Sequence, residues 1–144
     1  MGCDVRNGNS MITIDCSRVS ALLAALDYSG DDDLEPANNL IECMLLNDWG
    51  CVEQSAEFLV FTHDPEEPMN WDSFVQLVPF VQEGSYFEQR PGDYVQDLQG
   101  NSRPGVMRAS VEGGVLHCRL YALVKGADGF GIRQLIEEID PQLI

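Results

Sequence analysis

The sequence predicts a single α+β domain in which a mixed or antiparallel sheet of four to six strands is packed by three or four helices. Its 144 residues are the length of one ordinary domain, and 44% of them are hydrophobic. The spacing of the apolar residues changes along the chain between the period of a strand and that of a helix. Residues 1–10 are polar and are expected to form a tail, so the domain is predicted to occupy 11–144.

The first third of the domain contains one predicted strand and two predicted helices. Residues 11–14 alternate and are rich in β-branched side chains, which favours a strand. Ser17 is a suitable N-cap for a helix whose apolar residues recur at helical spacing over 19–26. A second helix is predicted to begin near Pro36, which suits a first turn, and to end at Trp49.

The middle of the chain predicts short elements separated by turns. The apolar run 56–61 is typical of a buried strand, and Asn70 can cap a short helix after it. Segments 86–87 and 94–95 are predicted strands on either side of the turn 90–92.

A C-terminal hairpin is predicted over 106–112 and 115–124, because Gly113-Gly114 suits a two-residue primed turn. With this turn, the pairing of the two strands determines which side chains of the hairpin face the core. The predicted cross-strand pairs are Val111 with Leu116, Ala109 with Cys118 and Met107 with Leu120 on the core face, and Ser110 with His117 and Arg108 with Arg119 on the other. Two opposed arginines indicate either an anionic ligand between them or an internal network of ion pairs.

The last predicted element is a helix that packs on the sheet. Its apolar residues recur at i, i+3, i+4 and i+7, and Asp140-Pro141 is expected to end it. These residues are Ile132, Leu135, Ile136 and Ile139.

Charge is distributed very unevenly along the sequence. The net charge is −16, and residues 19–89 contain fifteen acidic residues but no lysine or arginine. The chain is nearly neutral on both sides of this segment, which we call the acidic segment. Like charges at this density repel each other, so the segregation indicates a surface directed at a positively charged partner.

Two groups of acidic residues in this segment are the candidate partner-binding residues, because each lies on a predicted loop beside proline, where carboxylates stay solvated. They are Asp31, Asp32, Asp33, Glu35, Glu66 and Glu67. The first group has some of the spacing of a calcium loop, but Pro36 stands where that loop needs glycine, so we expect no metal there. His63 beside the second group lacks metal-ligand spacing and is expected on a solvated loop.

The sequence contains no recognisable catalytic or cofactor motif, so we expect a protein that is not an enzyme and that binds no cofactor. His117 and Cys118 are neighbours on a strand and point to opposite faces, so they cannot form a catalytic pair. The five cysteines are scattered, and there is neither a signal peptide nor a membrane-spanning run, which predicts a cytoplasmic protein without membrane contact.

These features together predict an acidic inhibitor that occupies a basic surface of a partner, such as a nucleic-acid-binding site, and that does not bind nucleic acid itself. In composition the chain resembles phage anti-defence proteins, including anti-CRISPR inhibitors and other DNA mimics, and also toxin-neutralising immunity proteins. A different class of function is a small enzyme or anion binder that uses the face of Arg108, Arg119 and His117. The sequence does not indicate an oligomeric state.

Overall fold

A computed structural model of the protein describes residues 7–64, 66–67, 70–89, 94–125 and 131–140. These residues form one α+β domain built on a seven-stranded sheet, with a separate two-stranded sheet beside it. All strand pairs are antiparallel. The seven strands exceed the four to six that the sequence predicts, because two strands were not recognised as strands from the sequence.

The described elements follow one another along the chain as follows: β1 Asn7–Asp15, α1 Val19–Ala25, α2 Pro36–Leu45, β2 Trp49–Gln54, β3 Phe58–His63, α3 Trp71–Leu77, β4 Tyr86–Gln89, β5 Val95–Gln96, β6 Ser102–Arg103, β7 Gly105–Glu112, β8 Val115–Lys125 and β9 Gly131–Ile139. Two short 3₁₀ turns, Cys16–Arg18 and Val78–Phe80, adjoin α1 and α3.

The order of strands in the large sheet is β2-β3-β1-β4-β7-β8-β9. Strands β1 to β4 therefore occupy one side of the sheet, and β7 to β9 occupy the other. The acidic segment contains β2, β3, β4 and all three helices, whereas β7 to β9 belong to the nearly neutral part of the chain. The segregation of charge in the sequence is consequently a segregation across the sheet.

The core lies between the helices and the part of the large sheet around β1, which is flanked by β3 and β4. Ile12 and Ile14 of β1 are fully buried, and they pair with Phe61 and Leu59 of β3. The other buried residues of this cluster are Val19, Leu22, Leu40, Met44, Trp49, Phe74, Leu77, Phe87, Ala109 and Cys118. Helix, strand and hairpin thus contribute to a single core.

Strand β1 begins at Asn7, so residues 7–10, which the sequence assigns to the polar tail, are part of the sheet. Ser10 is buried and pairs with Phe87 of β4. Its Oγ accepts a hydrogen bond of 2.8 Å from the backbone N–H of His63. Ser10 is therefore a buried polar residue with a hydrogen-bond partner, which explains a polar residue at this position.

The helix ends agree with the sequence in two cases and differ in two. Helix α2 begins at Pro36 as predicted, and the side chain of Asn70 caps α3 by accepting from the Ser73 N–H at 3.2 Å. The predicted cap of the first helix is wrong: a 3₁₀ turn contains Ser17, and Arg18 precedes α1 without a side-chain cap. Trp49 does not end a helix but begins β2, which the sequence did not reveal.

The hairpin of β7 and β8 is confirmed, including its register. Gly113 and Gly114 have φ of +62° and +75°, as a type I′ turn requires. All five predicted cross-strand pairs are present, among them Arg108 with Arg119 and Ser110 with His117.

The predicted C-terminal helix is wrong, because Gly131–Ile139 is strand β9, paired with β8. A register shift between Leu120 and Tyr121 leaves Ile136 as an extra residue in β9. This bulge places Ile132 and Ile139 on the same face of the sheet although they are an odd number of residues apart. A bulged strand thereby imitates the apolar spacing of a helix.

The prediction of a solvated His63 is also wrong. The residue is 3% exposed and ends β3. Its ring packs edge-on against Trp49 and Phe87, with ring centroids 5.1 and 6.0 Å away. The predicted turn 90–92 lies outside the described residues.

Candidate functional site

The first acidic group, Asp31, Asp32, Asp33 and Glu35, forms an exposed turn directly before α2. Within the turn, the N–H of Asp33 donates to Oδ1 of Asp31 at 2.8 Å, and the N–H of Leu34 donates to the Asp31 carbonyl at 3.0 Å. Glu35 occupies the N-cap position of α2 in an extended conformation and makes no side-chain cap. The carboxylates therefore project from a folded turn.

Asn39 holds this turn against α2. Its Oδ1 accepts from the Asp31 N–H and its Nδ2 donates to the Asp31 carbonyl, both at 2.9 Å. The Asn39 side chain is buried, and Gly30 beside it has φ of +63° with no room for a Cβ. A fixed turn loses less conformational freedom on binding than a mobile one, so the acidic group is preorganised.

The second acidic group, Glu66 and Glu67, is exposed in the loop after β3. Oδ1 of Asp64 accepts from the Glu66 N–H at 2.9 Å, and the Asp64 carbonyl accepts from the Glu67 N–H at 3.2 Å. The N–H of Asp64 in turn donates to the carbonyl of Asp48 at 2.8 Å. This loop is consequently attached to the turn that follows α2.

Helix α2 separates the two groups instead of bringing them together. It has ten residues and is therefore about 15 Å long. The first group precedes its N-terminus, and the second lies beside Asp48, three residues beyond its C-terminus. Glu42 is exposed on the helix between them. The two predicted groups thus lie beyond opposite ends of α2. We call the acidic residues on and beside this helix the α2 acidic surface.

No group of three or more His, Cys, Asp or Glu side chains among the described residues is arranged to hold a metal ion. The turn before α2 is not a calcium loop in its conformation, because Pro36 begins the helix within the twelve positions that such a loop needs.

The opposed arginines of the hairpin are engaged in internal ion pairs. Glu88 of β4 is 3% exposed, and its carboxylate accepts from Arg108 at 2.7 Å and from Arg133 at 2.6 and 3.0 Å. Burial alone would raise the pKa of Glu88, but the hydrogen bonds from the two arginines outweigh it, and the pKa lies below its ordinary value. The Arg108 guanidinium also lies 3.9 Å from the centre of the Tyr86 ring.

Arg119 belongs to a second network on the same face. It contacts Glu112 through two hydrogen bonds of 2.5 and 3.2 Å and Glu138 through one of 2.9 Å. Hydrogen bonds from Arg119 and from Ser110 lower the pKa of Glu112 to about 2. Of the two interpretations of the opposed arginines, the internal network describes this face.

His117 and Cys118 point to opposite faces of β8, as their pairing with Ser110 and Ala109 requires. Cys118 is 2% exposed, and burial raises the pKa of its thiol to about 11. A thiol with this pKa is protonated at neutral pH and is a poor nucleophile.

A cleft of about 180 Å³ lies between the helices and β2. Its lining is apolar and polar but uncharged: Leu26, Tyr28, Cys43, Met44, Leu46, Asn47, Trp49, Ser73, Gln76 and Leu77. Trp49 Nε1 is buried without a hydrogen-bond partner in the part of the chain that the structure describes. This atom has almost no accessible surface, so it does not offer a donor to a molecule in the cleft.

Two residues that hold these sites together were not identified from the sequence, namely Asn39 at the acidic turn and Arg133 beside Glu88. Asn39 is a poor helix former within a predicted helix, which was the available signal for a structural hydrogen bond. Arg133 was assigned to a helix, so its contact with Glu88, 45 residues earlier, could not be anticipated.

Comparisons of the chain with protein-family models, with curated proteins and with solved structures found no match. No helix within the described ranges has the length and apolar character needed to cross a membrane.

Proposed function

We propose that the protein is a non-enzymatic inhibitor whose α2 acidic surface occupies a basic surface of a partner protein, such as a nucleic-acid-binding site. One observation carries this proposal: both predicted acidic groups are exposed at the ends of a single helix, in a segment that has no lysine or arginine. The acidic segment contributes no lysine or arginine to this surface, so its electrostatic potential is predominantly negative.

The number of negative charges on this surface is comparable with that on a short stretch of nucleic acid. Duplex DNA carries one negative charge per about 1.7 Å, or about nine charges over the 15 Å length of α2. Nine acidic residues lie on or beside the helix, namely Asp31, Asp32, Asp33, Glu35, Glu42, Asp48, Asp64, Glu66 and Glu67. A basic groove that binds phosphates would find a similar number of carboxylates here. The same field would repel DNA and RNA, so the protein itself is not proposed to bind them.

A toxin-neutralising immunity protein would use the same surface, and the identity of the partner distinguishes it from an inhibitor of a nucleic-acid-binding protein. An anion binder based on Arg108 and Arg119 has no such support, since both guanidinium groups contact carboxylates of the same chain.

The test is affinity capture from a lysate of the native host at about 50 mM and 500 mM salt, conditions that differ strongly in electrostatic screening. The variant Asp31→Asn, Asp32→Asn, Asp33→Asn removes three charges while Oδ1 of residue 31 can still accept from the N–H of residue 33. We expect it to capture less partner than the wild type and to associate at least about tenfold more slowly, with little change in dissociation.

The matched control, Glu53→Gln, Glu57→Gln, Glu137→Gln, removes the same charge from exposed residues that do not belong to the α2 acidic surface. It should retain most of the association rate. Equal effects of the two variants would show that net charge and not the α2 acidic surface is responsible. Capture that does not depend on salt would reject the proposal.

A further inference from the structure

Strand β9 is an edge strand of the large sheet. It pairs with β8, and no other described strand pairs with it. Its nine residues make it one of the longest strands of the molecule. The outer side of such a strand presents a row of backbone N–H and C=O groups that can pair with a further strand.

Large apolar side chains are exposed along this edge. Ile132 is 53% exposed and Leu135 is 45% exposed, and their partners on β8, Val124 and Tyr121, place them on opposite faces of the sheet. The N–H of Leu98 donates to the side chain of Gln134 at 2.9 Å, which brings Leu98, itself 67% exposed, beside the same strand. Apolar side chains exposed on both faces, beside a strand edge that no described strand covers, favour the addition of a further strand.

This edge lies at the neutral side of the molecule. Strands β7 to β9 contain four basic residues, Arg108, Arg119, Lys125 and Arg133, and three acidic ones, Glu112, Glu137 and Glu138. The nearest strand of the acidic segment is β4, whose Glu88 is neutralised by arginines. The exposed acidic groups follow β3 or precede α2, and β3 is five strand spacings, or about 24 Å, from β9. This distance exceeds the Debye length of about 8 Å at physiological ionic strength.

We propose that β9 pairs with β9 of a second copy of this chain, antiparallel about a two-fold axis, so that two seven-stranded sheets become one continuous sheet. An antiparallel strand is complementary to itself under this symmetry, which gives identical lengths and one shared register. Ile132 and Leu135 then lie beside the partner strand, one on each face, and lose part of their exposure to water. A basic partner is attracted to the other side of the molecule, whereas the neutral edge does not repel its own copy.

The charge distribution favours this arrangement over other ways of joining two copies. In the continuous sheet, the two β2 strands stand at opposite ends, about 60 Å apart. Association through β2 would instead bring two acidic sides together. The proposed dimer therefore presents two α2 acidic surfaces that are independent of each other.

The experiment is sedimentation velocity of the full chain from about 1 µM to 500 µM, a range that covers weak and moderate dimers. The variant Ile132→Lys, Leu135→Lys sets like charges on neighbouring strands of the proposed interface. The control, Val52→Lys, makes one such apolar-to-lysine change at a 60% exposed residue of the opposite edge strand, β2. We expect concentration-dependent dimers of the wild type and of the control, and a dissociation constant at least about tenfold higher for the β9 variant.

A wild-type chain that remains monomeric throughout this range would overturn the proposal, as would a dimer that Val52→Lys disrupts and the β9 variant does not. Circular dichroism establishes that both variants are folded. Should the β9 variant unfold, hydrogen exchange of the wild type decides instead: the β9 amides must become more protected as concentration rises. Dimerisation is expected to persist at about 500 mM salt, where partner capture is lost, so the two proposals can fail separately.

Discussion

Glu88 is a buried carboxylate whose desolvation is offset by hydrogen bonds from two neighbouring arginines. Its carboxylate is almost inaccessible, yet it accepts three hydrogen bonds from two guanidinium groups that remain about one third exposed. The arginines keep contact with water, which reduces the desolvation cost of the group. The carboxylate joins β4, β7 and β9, so it connects the acidic and neutral sides of the sheet through side chains as well as through the backbone.

The buried imidazole of His63 leads to a prediction about how stability depends on pH. Burial lowers the pKa of its imidazole, although the Asp64 carbonyl and the charges of Asp48 and Asp64 act in the opposite direction. Below the ordinary pKa of about 6.5, the unfolded chain binds a proton that the folded chain resists binding. The free energy of unfolding should therefore fall as the pH decreases from about 7.5 to 5.5.

Urea unfolding across this range measures the effect. His63→Gln should flatten the pH dependence whatever its effect on stability at pH 7.5, because the titrating group is gone. His117→Gln, which alters the half-buried histidine of β8, should leave the slope in place. An unchanged slope in the His63 variant would assign the pH dependence to other groups.

At the scale of elements, the hairpin and β9 show what sequence patterns can and cannot predict. Gly113-Gly114 determines a turn locally, and the turn then determines the pairing of every residue in β7 and β8, so that register was predictable. The apolar spacing of β9 fits a helix equally well. Only its pairing with β8 and the bulge at Ile136 distinguish the two, and these depend on the assembled sheet.

In the candidate site, too, local properties could be predicted from the sequence, whereas the spatial arrangement could not. The exposure of Asp32, Asp33 and Glu67 follows from loop composition and was predicted correctly as a local property. The arrangement of the two acidic groups at the ends of α2 depends on the contact between the Asp64 N–H and the Asp48 carbonyl, which no spacing rule reveals.

The turn itself can be tested by substitution. Gly113→Ala and Gly114→Ala should each reduce the free energy of unfolding by about 1 kcal/mol, because a side chain at positive φ is strained. Neither glycine has an atom within 4 Å of an added Cβ, so steric contact does not contribute. Gly50→Ala in β2 is the control, since that position has equal space but no positive φ, and it should not destabilise. Similar losses at all three positions in urea unfolding would contradict the assignment to backbone strain.

For the whole molecule, the net charge of −16 opposes folding through repulsion among the carboxylates of the acidic segment. Added sodium chloride screens this repulsion, whereas the buried contacts of Glu88 are screened much less. The melting temperature should therefore rise by several degrees between about 20 mM and 200 mM sodium chloride.

The Asp31, Asp32 and Asp33 triple substitution by Asn should reduce this rise, because it removes three of the fifteen acidic residues of the segment. A melting temperature that falls with salt would indicate that attractive ion pairs, not repulsion, dominate the electrostatic contribution to stability. Thermal denaturation followed by circular dichroism is sufficient for both measurements.

The strand order has a further consequence for how the chain folds during its synthesis. Strands β1 to β4 are adjacent in the sheet and are complete once residue 89 has left the ribosome, before any of β7 to β9 has emerged from it. A four-stranded half with its helices can therefore assemble first, with the side of β4 open until β7 emerges. The dense negative charge of this nascent half keeps other nascent halves away during that interval. We therefore expect the acidic segment to reduce aggregation of the growing chain through the side of β4, which β7 covers in the finished protein.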